Sequence, residues 1–202
     1  KLIHAMADKG LNAVTSTSAG RLFDAVSAVL GIRRSSAFES EASIALQFAA
    51  ESYMKREALN DLDVINKKLE LSAFESEMMD IENKYFYDNE NDAVFRMGTM
   101  KLFKQILNEK LSGKNSDELA FYFHEKLAWI IAAGCDKARK QSGINTVALS
   151  GGVFQNKLLL TVRDNLLEMY GFKVLRHSMV PPNDGGLALG QAAAAMYRLN
   201  NK

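Results

Sequence analysis

Two glycine-bearing turns hold the residues best suited to chemistry. Ser150-Gly151-Gly152 follows the apolar run Asn145 to Leu149 and precedes a helical segment, Phe154 to Tyr170. Glycines there remove the Cβ atoms that would keep a ligand off the backbone, and a helix start offers free N–H groups to a phosphate. A tight strand-to-helix turn without a ligand has the same sequence and is the commoner use of a bare Gly-Gly pair. Asn156, six residues beyond Ser150, brings an amide that can reach a base or ribose, or simply lie in solvent. The second turn is Pro181-Pro182-Asn183-Asp184-Gly185-Gly186. Its Asp184 suits capping of the following helix, and equally suits a metal held beside a phosphate; spacing alone favours the cap.

Other candidates are thinner. Asp24 sits among apolar residues of a helix, as a surface acid or as a carboxylate facing a cleft. Glu39 and Glu41, two apart, cannot share one helical face, which removes them as a carboxylate dyad. His4, His124 and His177 are far apart, without metal-ligand spacing. His124, beside Phe123 in a core helix, reads as a hydrogen-bonded, half-buried residue, and Cys135 as packing. These side chains form no acid–base or nucleophile set.

The elements that must position these groups are mostly helical, since the only prolines are Pro181 and Pro182. Apolar spacing predicts helices over Ala19 to Leu30, with Ser18 ahead of it and Gly31 as its stop, and from about Glu39 to Glu57. A third begins at Thr99 and ends near Ser112-Gly113. Asn115 and Glu118 have the spacing of a capping box for a fourth, running to about Lys140. Leu59 to Asn91 is acidic, with partial alternation through Tyr85-Phe86-Tyr87 that allows a strand pair. The last third reads strand, helix, strand (Phe172 to Leu175), loop, and an Ala-rich helix from Leu187 to Leu199. That order implies a parallel strand pair covered by helices. The organisation expected is one unit over 1–202, helical over 1–142 and strand-helix-strand-helix over 143–202.

Composition narrows the function classes. The 202 residues carry 25 Lys and Arg against 24 Asp and Glu, a net charge of +1, which gives no general attraction to nucleic acid or an anionic membrane. One cysteine and the absence of a Cys/His zinc pattern fit a reducing cytoplasm. No apolar run is long enough to span a bilayer. The chain begins at Lys1, and a piece of something longer is expected.

Four segments taken together resemble one family. They are Ser16-Thr-Ser-Ala-Gly-Arg-Leu-Phe-Asp-Ala-Val26, Phe38-Glu-Ser-Glu-Ala42, Phe123-His124, and Val147 to Asn156 with Pro181 to Gln191. In order and spacing they look like the C-terminal end of the HypF family, the carbamoyltransferases of NiFe-hydrogenase maturation. The resemblance implies a predominantly helical α/β fold, part of a Kae1-like lobe of the actin/Hsp70-like ATPase superfamily with a short parallel sheet. It also implies a reaction in which carbamoyl phosphate and ATP give carbamoyl-adenylate. The carbamoyl group then passes to the C-terminal cysteine of the partner HypE. By resemblance, Asp24 holds the nucleotide ribose, Glu39, Gly151, Gly152 and Asn156 belong to the nucleotide pocket, and Asp184 ligates a divalent metal completed by upstream histidines.

Such a transfer needs orientation of the adenylate against a thiolate more than a protein nucleophile, which suits the missing nucleophile. The family reads Tyr-Glu-Gly where this chain has Phe38-Glu39-Ser40, a change expected to alter the turn. With half of the cleft upstream, the chain alone is expected to be inactive and, with lobe surface uncovered, to self-associate. Two other readings stay open: an O-carbamoyltransferase of related fold, and a non-catalytic nucleotide-binding scaffold.

Overall fold

The computed structural model describes residues 2–11, 14, 16–59, 71–87 and 95–201. In chain order the helices are α1 (Leu2–Asp8), α2 (Ala19–Leu30), α3 (Glu41–Arg56), α4 (Leu71–Tyr85), α5 (Thr99–Leu111), α6 (Ser116–Ser142), α7 (Lys157–Met169) and α8 (Leu187–Asn200). The strands are β1 (Phe86–Tyr87), β2 (Arg96–Met97), β3 (Thr146–Ala148) and β4 (Lys173–Leu175). Single-turn 3-10 helices occupy Gly152–Gln155 and Asp184–Gly186.

Helix α6 organises the fold. Asn115 starts it as expected, its side-chain oxygen accepting from the N–H groups of Asp117 (2.9 Å) and Glu118 (3.3 Å). Its 27 residues are about 40 Å long at 1.5 Å per residue, enough for α2, α3, α4, α5 and α7 to pack along it. The shared core includes Phe23, Leu46, Leu102, Ile106, Phe123 and Leu159, all fully buried. Helices α2 and α3 both run antiparallel to α6. The Ser116 hydroxyl donates to the Leu30 carbonyl at 2.8 Å, and Arg56 pairs with Asp117 at 3.3 Å.

Gly31 ends α2 in the left-handed region (φ 75°), as its position suggests. Ser18 precedes α2 without a side-chain cap bond. At the head of α3, Ser40 also takes a left-handed backbone (φ 65°, ψ 8°). That is the conformation a glycine adopts without strain, which gives the Phe-Glu-Ser departure a local cost.

Strands β3 and β4 pair in parallel, Thr146 with Lys173, Val147 with Val174 and Ala148 with Leu175. The small pair β1–β2 is antiparallel. The strand pair allowed by the alternation therefore starts only at Phe86, since Tyr85 still closes α4, and its partner Arg96–Met97 lies beyond the stretch read for it. Residues 60–70 and 88–91 of that stretch fall outside the described residues. The segment read as a helix from Phe154 is instead a 3-10 turn and then α7, divided at Asn156. Helix α1, which had no apolar pattern to announce it, buries none of its residues.

Candidate functional site

The parallel pair brings two chain reversals side by side. The ladder continues one step past β3, where the Leu149 N–H donates to the Leu175 carbonyl at 3.1 Å. The chain then turns through Ser150 and Gly151. Gly151 has φ 110° and ψ 151°, a backbone closed to side-chain-bearing residues. Its N–H donates to the Pro182 carbonyl at 2.7 Å, tying the first turn to the loop after β4. The ideal Cβ position of Gly152 lies 3.7 Å from the Asn183 Cβ.

Within the second loop Asn183, and not Asp184, supplies the cap. Its side-chain oxygen accepts from the Gly185 N–H at 3.0 Å. The capping role that spacing favoured for Asp184 thus belongs to its neighbour. Asp184 is exposed, its carboxylate outside any hydrogen bond or ion pair among the described residues. The loop is shaped around Gly186, whose Cβ would stand 2.6 Å from the Pro181 carbonyl oxygen. Gly186→Ala is expected to push this loop off the first turn and lower stability by about 1–3 kcal/mol. Gly190→Ala meets nothing within 4 Å and is expected to stabilise α8 by up to about 1 kcal/mol. Thermal melts of the two variants should therefore move in opposite directions.

Asn156 closes the 3-10 turn and caps α7. Its side-chain oxygen accepts from the Leu159 N–H at 2.9 Å, and its amide nitrogen donates to His124 Nε2 at 3.0 Å. His124 is fully buried, not half-buried, and its Nδ1–H donates to the Ala120 carbonyl at 2.7 Å. A carbonyl only accepts and an amide nitrogen only donates, so the ring is neutral with its proton on Nδ1. Burial pushes its pKa down to about 4, against the opposing pull of the Ala120 bond.

Phe23 packs edge-on against both the His124 and Phe123 rings, with centroids 5.3 and 4.9 Å away. Through this packing α2 lies against the Gly152–Gln155 turn. Asp24, the next residue, keeps 41% of its side chain exposed, with only a loose 3.8 Å pairing to the exposed Arg21. Such a pair contributes little and leaves the carboxylate available.

Gly151, Gly152 and the Asp184 loop are thus in direct register, Asn156 follows the same turn, and the helix of Asp24 packs on it. Glu39 stands apart. It is exposed ahead of α3 and makes no hydrogen bond or ion pair among the described residues. Tyr53 of α3 lies by Phe121 of α6, and Glu41 opens α3 twelve residues earlier, about 18 Å along the helix axis. The nearby Glu41 is engaged locally, accepting from the Ala37 N–H at 2.6 Å and pairing with Arg33 at 3.0 Å.

Spacing did not single out His177, which stands two residues beyond β4 as Ser150 stands two beyond β3. Its Nε2 lies 3.3 Å from the Ser150 hydroxyl, and the matching offset from paired strand ends was the available signal. Two hollows among the described residues, of about 400 and 330 Å³, lie elsewhere, one by Tyr85, Tyr122 and Lys126, the other by Met54, Lys55 and Lys157. None of the six candidate residues lines either hollow. No three His, Cys, Asp or Glu side chains among the described residues converge on a metal position. Asp184 fits one ligand of a shared ion at most.

The arrangement is a glycine turn at the tip of a parallel pair with a second loop bonded across it. Residues 1–191 match the family model described as the carbamoyltransferase Kae1-like domain, second subdomain. The chain belongs to the HypF carbamoyltransferase family. It is 32% identical over 203 residues to carbamoyltransferase HypF of Rhodobacter capsulatus, covering 99% of this chain and 22% of that protein. A probable carbamoyltransferase HypF of Methanocaldococcus jannaschii is 29% identical over 201 residues, covering 100% of this chain and 22% of its own length. Among solved structures, full-length HypF in its phosphate- and nucleotide-bound form superposes with a TM-score of 0.75 at 28% identity, over 98% of this chain and 23% of that one. The chain therefore spans between a fifth and a quarter of the length of these relatives.

Proposed function

We propose that this chain forms one wall of the nucleotide cleft of a HypF-type carbamoyltransferase. In that reading carbamoyl phosphate and ATP yield carbamoyl-adenylate, and the carbamoyl group is delivered to the C-terminal cysteine of HypE during NiFe-hydrogenase maturation. The observation that supports it most is the 2.7 Å bond from the Gly151 N–H to the Pro182 carbonyl. It holds a backbone stripped of Cβ atoms beside the loop of Asp184, and α2, the helix of Asp24, packs against the same turn.

The groups have distinct tasks. Gly151 and Gly152 let the nucleotide approach the main chain, and Asp24 accepts from its ribose hydroxyls. Asn156 keeps a second N–H and a second lone pair for the nucleotide, while its other amide valences hold His124 and cap α7. Glu39 enters only if the nucleotide reaches across to the head of α3. A divalent ion, when bound, would neutralise phosphate charge, with Asp184 contributing one carboxylate and histidines from elsewhere in the protein the rest.

We place the protein in the cytoplasm, on its single cysteine. No helix among the described residues is long and apolar enough to cross a membrane. Helix α8 buries none of its residues and exposes Leu187, Leu189, Met196, Tyr197 and Leu199. This apolar surface supports self-association of the isolated chain.

Asp24→Asn tests the reading, because Asp24 is half-exposed and its loss spares the core. Calorimetric titration with ATP of the protein carrying this chain is expected to show about tenfold weaker binding, the effect of one charged hydrogen bond, at an unchanged Tm. Equal affinity in both proteins would sink the role of α2 in the cleft.

A further inference from the structure

His124 is the one fully buried histidine among the described residues, and its ring bonds Asn156, which closes the 3-10 turn after the glycines. Its Nδ1–H is spent on the Ala120 carbonyl of its own helix, 2.7 Å away. Its Nε2 is a bare acceptor, filled by the Asn156 amide nitrogen at 3.0 Å from 32 residues along the chain. Phe23 packs edge-on against the ring at 5.3 Å and Phe123 at 5.7 Å, between centroids. The Asn156 amide is fixed in turn. With its nitrogen on His124, its oxygen must face the Leu159 N–H, the orientation that caps α7.

We infer that His124 is a positioning residue, whose ring sets the Asn156 amide and with it the height of the Gly151–Gly152 turn against Asp24. This deepens the adenylate reading and rests on it for its functional consequence. The side chain never touches a ligand. It acts by joining three elements, α2 through Phe23, α6 through its own backbone, and the start of α7 through Asn156. An apolar residue of equal volume would fill the core but leave a buried amide N–H without a partner and free to turn. An imidazole supplies a rigid acceptor at that distance.

Two amide replacements separate this role from mere packing. His124→Gln can place its side-chain oxygen where Nε2 stood and still accept from Asn156. His124→Asn can reach only the Ala120 carbonyl. The protein carrying this chain is titrated with ATP, and amide hydrogen exchange at Leu159 is followed in parallel.

His124→Asn is expected to weaken ATP binding about tenfold, the effect of one lost buried hydrogen bond, and to speed Leu159 exchange. His124→Gln is expected to stay within about threefold of the parent in Kd and to keep Leu159 protected. If the two variants lose stability alike while affinity and Leu159 protection stay at parent values, the positioning role is overturned. If the parent itself fails to bind ATP, the adenylate reading falls and the functional role of His124 falls with it. The Leu159 exchange would still show whether the ring sets the cap.

Discussion

Phe23→Ala is expected to destabilise the protein by about 3–5 kcal/mol, as for other fully buried aromatic side chains cut to a methyl group. Phe23 is fully buried and packs edge-on with both the Phe123 and His124 rings. Its removal costs the transfer free energy of the ring and opens a void that rigid neighbours on α6 cannot close. For a domain of this size the melting temperature should fall by about 10 °C. Phe48→Ala provides the contrast. That ring is 59% exposed on α3, and its loss should stay within about 0.5 kcal/mol. Urea titration of both variants checks the difference. A Phe23→Ala variant as stable as Phe48→Ala would mean that α2 does not pack on α6 through this ring. The consequence reaches the site, because Asp24 is held in place by the residue before it.

Much of the scaffold was legible because its signals are local. Helix α2 starts and stops where the sequence indicated, since Leu22, Phe23, Val26 and Leu30 share a face and Gly31 adopts the left-handed stop. Asn115 caps α6 for an equally local reason, a side chain bonding backbone groups two and three residues ahead. The parallel pairing of β3 and β4 followed from the helix between them, because two short strands joined by such a crossover have few other options. What failed depended on partners distant in sequence. His124 looked half-buried because nothing near it in the chain announces Asn156, which satisfies its ring. Asn156 in turn was read as lying inside a helix, although Asn ahead of Leu158 and Leu159 is also a helix-start signal.

The site divides along the same line. Gly151, Gly152 and Asp184 were marked by glycine chemistry that any strand-to-helix turn displays, and their adjacency came only with the Gly151–Pro182 bond. The cap in the second loop went to Asn183 because a 3-10 turn begins at Asp184, three residues ahead of the helix expected from Leu187. Glu39 was marked by resemblance alone, and no spacing rule sets its distance from the glycine turn. The length of α3 supplies that distance.

Acidification should unlock the same junction. The folded His124 has a pKa near 4, against 6.5 for an unshifted imidazole, with burial as the main cause. The folded state therefore binds fewer protons than the unfolded chain between these values, so stability rises with pH across the window. The contribution is fully present above about pH 6.5 and is lost as pH falls toward 4. At about 1.4 kcal/mol per unit, lowering the pH from 6.5 to 5 should remove about 2 kcal/mol. The carboxyl groups of Asp136 and Glu109, held below their ordinary 3.8 and 4.5 by lysine and arginine partners against burial, begin to lose their share only at lower pH. A protonated ring would also present an N–H to the Asn156 amide nitrogen, donor against donor, and the cap of α7 would loosen first. Urea denaturation at half-unit steps from pH 7 to 5 reads the slope, and His124→Gln, which has no proton to take up, should flatten it. A parent protein whose stability is level across this window would show that the imidazole can be charged where it stands, and the neutral hydrogen-bonded ring would have to be abandoned.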